Sequence, residues 1–103
     1  RRGRRPETAR GARHLKEFDY TVQDALGIHA RPAGQIAKYA KENRDRASIK
    51  VEKVGGKSAD AVRVMALMTL GAKPGDVLHI TVDGPEADAV ADGLGELLRT
   101  EKL

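Results

Sequence analysis

The chain of 103 residues contains no cysteine and no tryptophan, and its aromatic residues are two tyrosines and one phenylalanine. Without cysteine the protein has no disulfide, no thiolate ligand for zinc and no cysteine nucleophile. With so few aromatic side chains, the core must be built from the aliphatic residues and methionine. A length near 100 residues suits a single domain.

Long hydrophobic runs are also missing. The longest nearly apolar stretch, residues 64–68 (VMALM), is far shorter than the roughly 18 residues of a membrane-spanning helix. The charged N-terminus is not followed by the apolar stretch that a signal peptide requires. We therefore expect a cytoplasmic protein that does not insert into membranes.

The net charge of +4 is unevenly spread. Residues 1–14 hold six arginines and one glutamate, and no valine, isoleucine, leucine, methionine or aromatic residue. Because such a segment buries too little apolar surface to offset the entropy of ordering, we predict a disordered Arg-rich extension over residues 1–14. A folded domain is predicted over residues 15–103. The extension has no aromatic residues to stack on bases, so we expect no specific nucleic-acid partner.

Apolar and polar residues alternate in three segments, which is typical of strands with one buried face. These segments are Phe18–Val22, Ala47–Val51 and Leu78–Val82. Two adjacent glycines, Gly55 and Gly56, predict a hairpin turn after the second segment, because paired glycines allow positive φ. A short further strand is expected at residues 57–59.

Three helices are predicted between and after these strands. Apolar residues recur with helical spacing after Pro32, which suits only the first turn, and continue to about Asn43. Asp60 is predicted to cap a short helix over residues 61–67, and a last helix follows Pro85. The resulting order, β-α-β-β-α-β-α, predicts an α+β fold in which helices cover one face of a mostly antiparallel four-stranded sheet.

One histidine precedes the start of the first predicted helix. His29 lies just before Pro32, where a helix presents free backbone N–H groups and the positive end of its dipole. Such an end attracts phosphate, and the guanidinium of Arg31 can pair with phosphate oxygens. The combination favours a phosphohistidine. The alternative, that His29 only caps or decorates the loop, stays open on these residues alone.

Residues 27–33 (GIHARPA) resemble the active-site signature of the histidine-containing phosphocarrier family, HPr, of the phosphoenolpyruvate-dependent sugar phosphotransferase system. Residues 56–58 (GKS), 64–65 (VM) and 68–71 (MTLG) resemble a second stretch of that family. The resemblance extends from about Lys16 to Leu103. It implies an open-faced β-sandwich, in which three helices cover one side of a four-stranded antiparallel sheet.

The resemblance also implies a role for each residue near His29. His29 would accept a phosphoryl group on Nδ1 from phosphorylated enzyme I and pass it to the IIA domain of a sugar permease. Arg31 and the backbone N–H groups of Ala30 and Arg31 would contact the phosphoryl oxygens. The protein would be a monomeric carrier rather than an enzyme, without a cofactor. The alternatives are a regulatory, nitrogen-type phosphotransfer chain without sugar transport and an HPr-like binding module.

A docking face for these partners is expected around His29. We assign to it apolar and basic residues of the first two helices and of the loop before them: Ile28, Ala33, Ile36, Lys38, Lys41, Arg63, Val64, Met65 and Met68. Met65 and Met68 are the pair most expected to point outward, since methionine adapts to the surfaces of several partners. The alternative is that the apolar members are core residues and the lysines are ordinary solvated side chains.

Three further patterns bear on regulation and ligands. In HPr of many Gram-positive bacteria a serine near the start of the second helix is phosphorylated by an ATP-dependent kinase, but that position is Arg63 here, so we predict no regulatory phosphorylation there. Residues 56–58 mimic the end of a P-loop, but Val51 stands where that pattern requires glycine. The three histidines lack metal-ligand spacing, so no metal site is expected.

Overall fold

The computed structural model describes residues 14–103, which form a four-stranded antiparallel sheet and three helices. In chain order the elements are β1 (His14–Thr21), α1 (Ala30–Glu42), β2 (Ser48–Lys53), β3 (Ser58–Asp60), α2 (Val64–Thr69), β4 (Val77–Gly84) and α3 (Ala87–Thr100). The strands lie in the order β1-β4-β2-β3. The predicted α+β class, the element order and the open-faced sandwich are confirmed.

The central strands bury one face of the sheet and leave the other to solvent. Along β4, Ile80 and Val82 alternate with half-buried polar residues, as the period of two requires. They lie opposite Val51 and Ile49 of β2, whose side chains are also buried. These cross-strand pairs form the floor of the core.

The helices cover that floor with amphipathic faces. The buried residues of α1 recur at helical spacing and include Ile36 and Ala40, and those of α3 include Val90, Leu94 and Leu98. All of them join one apolar cluster with the sheet. Burying a side chain of the size of leucine contributes roughly 1.5–3 kcal/mol.

The start of α2 differs from the sequence prediction. Asp60 is the last residue of β3 and does not cap the helix. Its Oδ1 accepts the amide N–H of Val62 (3.2 Å) and its carbonyl accepts the amide N–H of Arg63 (3.0 Å). These hydrogen bonds close a turn, so α2 begins only at Val64, with Arg63 in the N-cap position.

The boundary of the predicted extension also shifts. His14, the last residue assigned to the extension, is the first residue of β1, and it pairs with Gly84. Residues 1–13 of the predicted extension lie outside the described residues. Within residues 14–103, no helix combines the length and apolar character needed to cross a membrane, and no group of three or more histidine, aspartate or glutamate side chains could hold a metal ion.

Candidate functional site

The loop between β1 and α1 is held against the segment that follows α2. The amide of Ile28 donates a hydrogen bond to the carbonyl of Ala72 (3.1 Å). Gly27 has a φ of +72°, and a Cβ there would overlap the same carbonyl oxygen. Only glycine suits both this left-handed backbone and the close approach. The loop therefore places His29 at a defined position before α1.

His29 occupies the N-cap position of α1 with an extended backbone (φ −100°, ψ −165°), and its carbonyl accepts the amide N–H of Ala33 (3.0 Å). The helix begins at Ala30, so Pro32 lies in the first turn, as predicted. Pro32 has no N–H, so the amides of Ala30 and Arg31 are the first-turn donors that lack an acceptor within α1. The imidazole, 32% exposed, thus stands at the positive end of the helix.

A carboxylate absent from the sequence prediction lies beside the ring. Asp24 Oδ1 is 3.3 Å from Nε2 of His29, and Asp24 Oδ2 is 2.7 Å from a terminal nitrogen of Arg31. Asp24 Oδ1 also accepts the amide N–H of Leu26 (2.9 Å), which closes a turn. The available signal was an aspartate three residues before Gly27, which is typical of a turn. That pattern does not reveal which side chains the carboxylate meets.

Asp24 is ionised at neutral pH. Its pKa is lowered, first by the hydrogen bond from the Leu26 amide and then by the contacts with His29 and Arg31, although desolvation opposes these effects. Only 11% of the side chain is exposed. A partly buried negative charge therefore faces both the imidazole and the guanidinium.

Arg31 is held on one side and open on the other. One terminal nitrogen binds Asp24, and the other donates to Oε1 of Gln35 (3.2 Å), one turn along α1. Gln35 in turn donates to Oε1 of Glu101, just after α3 (3.1 Å). A guanidinium has five N–H donors, and these contacts use two of them. Because 53% of the Arg31 side chain is exposed, the other donors can bind an anion at the helix end.

Three residues assigned to the docking face belong to the core instead. The side chains of Ile28, Ala33 and Ile36 are almost completely buried and join the apolar cluster. The helical spacing of Ala33 and Ile36 marks the inward face of α1 rather than a contact surface. This part of the prediction was wrong.

The second helix does expose its methionines, as predicted. Met65 is 74% exposed and Met68 lies at the surface, whereas Leu67 between them is buried. Leu26, which the sequence did not single out, is 75% exposed three residues before the imidazole. Because the Ile28 amide is hydrogen-bonded to the carbonyl of Ala72, which follows α2, the end of α2 and the loop before α1 are neighbours. Val64, at the start of α2, is half-buried against the core. We call the exposed Leu26, Met65 and Met68, together with this half-buried Val64, the apolar rim.

The basic residues assigned to the docking face are exposed, but two of them lie far along α1. At 1.5 Å per residue, Lys38 and Lys41 are roughly 12 to 17 Å along the axis from Ala30. Arg63 is exposed at the N-cap of α2. Arg31 is therefore the basic side chain that contacts Asp24 beside His29. A docking role for Lys38, Lys41 and Arg63 stays a prediction. The absence of regulatory phosphorylation at Arg63 also stays a prediction.

The chain matches the family model described as the PTS HPr component phosphorylation site over residues 16–100. It belongs to the HPr family. A phosphocarrier protein HPr of Vibrio cholerae is 37% identical over 83 residues, which are 81% of this chain and 92% of the relative. A phosphocarrier protein HPr of Lysinibacillus sphaericus is 32% identical over 84 residues, which are 82% of this chain and 92% of the relative.

Solved HPr structures share the fold. HPr-C-His from Thermoanaerobacter tengcongensis superposes with a TM-score of 0.74 at 28% identity, covering 82% of this chain and 92% of its own. A histidine-containing phosphocarrier protein from Mycoplasma gives a TM-score of 0.78 at 26% identity, and the match covers 85% of this chain and 97% of the Mycoplasma chain. The protein is therefore a phosphotransfer carrier of the HPr type.

Proposed function

We propose that this HPr-family protein carries a phosphoryl group on Nδ1 of His29. The group arrives from phosphorylated enzyme I, which takes it from phosphoenolpyruvate, and leaves for the IIA domain of a sugar permease. The observation that carries the proposal is the position of His29 at the N-cap of α1, beside the first-turn amides and Arg31.

The chemistry of transfer fits these groups. Phosphoryl transfer depends on in-line placement and compensation of charge on the phosphoryl oxygens. The amides of Ala30 and Arg31 and the positive end of α1 can stabilise those oxygens, and the guanidinium of Arg31 can bind two of them. Because the group leaves again in the next step, the protein is regenerated by its partners and acts as a carrier rather than an enzyme.

The apolar rim suits a surface that meets donor and acceptor in turn. Both partners must reach the same imidazole, so they use the same surroundings of His29. Large exposed apolar side chains beside a site mark a protein contact, and methionine conforms to partners of different shape. We expect the exchange to occur in the cytoplasm, with the carrier as a monomer.

Incubation with enzyme I and phosphoenolpyruvate tests the proposal. We expect a mass gain of one phosphoryl group that is labile in acid and stable in base, as an N–P bond is, and that is absent from His29→Ala. The matched control is His79→Ala, which removes a histidine from the outer face of the sheet and should leave the gain intact. No gain in the unaltered protein, or a gain that persists in His29→Ala, would contradict the proposal.

A further inference from the structure

The two oxygens of Asp24 contact both side chains that the proposed transfer uses. Oδ1 lies 3.3 Å from Nε2 of His29 and Oδ2 lies 2.7 Å from Arg31. The carboxylate is much less exposed than either partner. A group that approaches from solvent therefore meets the imidazole and the guanidinium, with Asp24 behind them.

The contact with Nε2 decides where the imidazole keeps its proton. A neutral imidazole has one N–H and one lone pair, and a carboxylate only accepts hydrogen bonds. The nitrogen that faces Asp24 is therefore the one that carries hydrogen, and the lone pair lies on the other nitrogen, Nδ1. We propose that Asp24 is a positioning residue for phosphoryl transfer, which holds His29 as the Nε2–H tautomer with Nδ1 as the nucleophile. This inference rests on the proposed function of His29.

Asp24 also faces the charge that develops during transfer. The Nδ1 lone pair attacks phosphorus, the N–P bond forms, and the bond from phosphorus to the donor atom breaks with its electron pair leaving on that atom. The ring keeps the hydrogen on Nε2, so it becomes a phosphorylated imidazolium whose positive charge lies beside Asp24 Oδ1, 3.3 Å from Nε2. On transfer to the acceptor, the N–P electron pair returns to Nδ1 and the ring is neutral again, without any proton transfer.

Backbone hydrogen bonds keep Asp24 in place. The amides of Gln23 and Asp24 both donate to the backbone oxygen of Leu103 (3.0 Å each), and the Asp24 carbonyl accepts the amide of Gly27 (2.8 Å). The backbone of Asp24 is thus held on both sides, and the Leu26 amide holds the carboxylate itself. Arg31 faces it from α1.

The simpler explanation is that Asp24 only closes the turn by accepting the Leu26 amide. Asp60 provides a matched control, because its Oδ1 accepts the amide of Val62 two residues along in a turn of the same kind. A purely structural role predicts similar consequences for both aspartates. A positioning role predicts consequences for the imidazole from Asp24 alone.

The tautomer can be measured without any phosphotransfer. Long-range ¹H–¹⁵N spectra of histidine-labelled protein at a pH where the ring is neutral report which nitrogen carries hydrogen. We expect the Nε2–H form alone for His29, at least a several-fold rise of the Nδ1–H form in Asp24→Ala, and no change in Asp60→Ala. A predominant Nδ1–H form in the unaltered protein, or an unchanged ratio in a folded Asp24→Ala, would overturn the proposal.

A second variant separates the charge of Asp24 from its hydrogen bonds. Asp24→Asn keeps an oxygen that can accept from Leu26 and from Nε2, but it removes the countercharge of the phosphorylated ring. We expect its initial rate of phosphorylation by enzyme I to fall roughly a hundredfold, as misplacement or loss of a charge at a reacting centre does, with Asp60→Asn unchanged. Equal rates for both variants and the unaltered protein would overturn the charge role. If the unaltered protein took up no phosphoryl group, the proposed function would fail while the tautomer result still stood.

Discussion

At the scale of single residues, the positive charge that serves the site is local. The chain carries a net charge of +4, but residues 15–103 hold 13 basic and 14 acidic side chains, so the folded part is close to neutral. At the start of α1 the guanidinium of Arg31 is positioned by Asp24 and Gln35 and leaves donors open to solvent. In the proposed mechanism, recognition of the phosphoryl group therefore depends on this oriented arginine rather than on overall basicity.

Replacement of Arg31 measures this dependence. We expect Arg31→Ala to slow phosphorylation of His29 about tenfold to a hundredfold, because hydrogen bonds to a charged group contribute roughly 1.5–3 kcal/mol. Arg31→Lys keeps the positive charge but cannot form the paired hydrogen bonds of a guanidinium. We expect its phosphorylation rate to lie between those of Arg31→Ala and the unaltered protein. Initial rates with enzyme I, with folding checked by amide spectra, decide the matter. An Arg31→Ala protein that is as fast as the unaltered one would remove Arg31 from the mechanism.

At the scale of elements, the junction between loop and helix depends on Gly27. Its left-handed backbone brings the loop onto the Ala72 carbonyl, and the same contact joins the loop to the segment after α2. Gly55, in the β2–β3 turn, has a similar φ of +82°, but a Cβ there would meet only open space. Substitution of Gly55 therefore introduces backbone strain alone, whereas substitution of Gly27 introduces both backbone strain and steric overlap.

Alanine at each position tests this difference. We expect Gly55→Ala to lower the free energy of unfolding by about 1–2 kcal/mol, the usual penalty for a left-handed non-glycine residue. Gly27→Ala should lower the free energy of unfolding by at least about 1 kcal/mol more than Gly55→Ala, because the Ala72 carbonyl must also move. Of the two variants, we expect only Gly27→Ala to slow phosphorylation. Urea unfolding and initial rates provide both readouts. Equal losses in the two variants would show that the close approach to Ala72 does not matter.

The pairing of β1 with β4 places a histidine between two carboxylates on the outer face of the sheet. Nδ1 of His79 is 2.7 Å from Asp19, and Nε2 is 2.7 Å from Glu17. The hydrogen bond with Asp19, followed by that with Glu17, raises the pKa of His79. Glu52 lies opposite His79 in the register with β2, so acidic residues flank this histidine from both neighbouring strands.

This arrangement predicts a pH-dependent stability. A histidine whose pKa is higher in the folded state than in the unfolded state contributes its full stabilisation below the unfolded-state pKa of about 6.5. Between the two pKa values the native state holds the proton and the unfolded state does not, so raising the pH favours unfolding. The stabilisation is lost once the pH has risen through the folded-state pKa. We expect the free energy of unfolding to fall as pH rises from about 6.5 through the raised folded-state pKa of His79, and to fall less in His79→Gln. Urea titrations at several pH values measure both slopes. Identical slopes would contradict the assignment.

At the scale of the whole molecule, local patterns specified the architecture, whereas the site required the folded chain. The alternation through Ile80 and Val82 locates a half-buried strand from neighbouring residues alone. The apolar stripe of α1 likewise marks its inward face from the sequence alone, and Ile36 belongs to that stripe rather than to a contact surface. Asp24 meets His29 across the turn that Gly27 and Leu26 close with it, and no periodic pattern reports such a contact.

The proposed docking surface is also a property of the assembled molecule, because the apolar rim joins a loop to α2. We expect Met65→Glu to weaken binding of enzyme I about tenfold, as the loss of a central apolar contact of more than about 1 kcal/mol does. Val54→Glu is the control, since Val54 is a large exposed apolar residue in the β2–β3 turn. Titration calorimetry with enzyme I gives both affinities. Equal weakening by the two variants would place the contact elsewhere.

The most direct test of the carrier account follows one phosphoryl group through the protein. The phosphorylated protein is freed of enzyme I and phosphoenolpyruvate and then mixed with purified IIA domains. We expect the phosphate on His29 to disappear as an equal amount appears on a IIA domain, leaving the unmodified carrier ready for a second round. Phosphate that stays on the protein, or that is released only as inorganic phosphate with every IIA domain unmodified, would contradict the account.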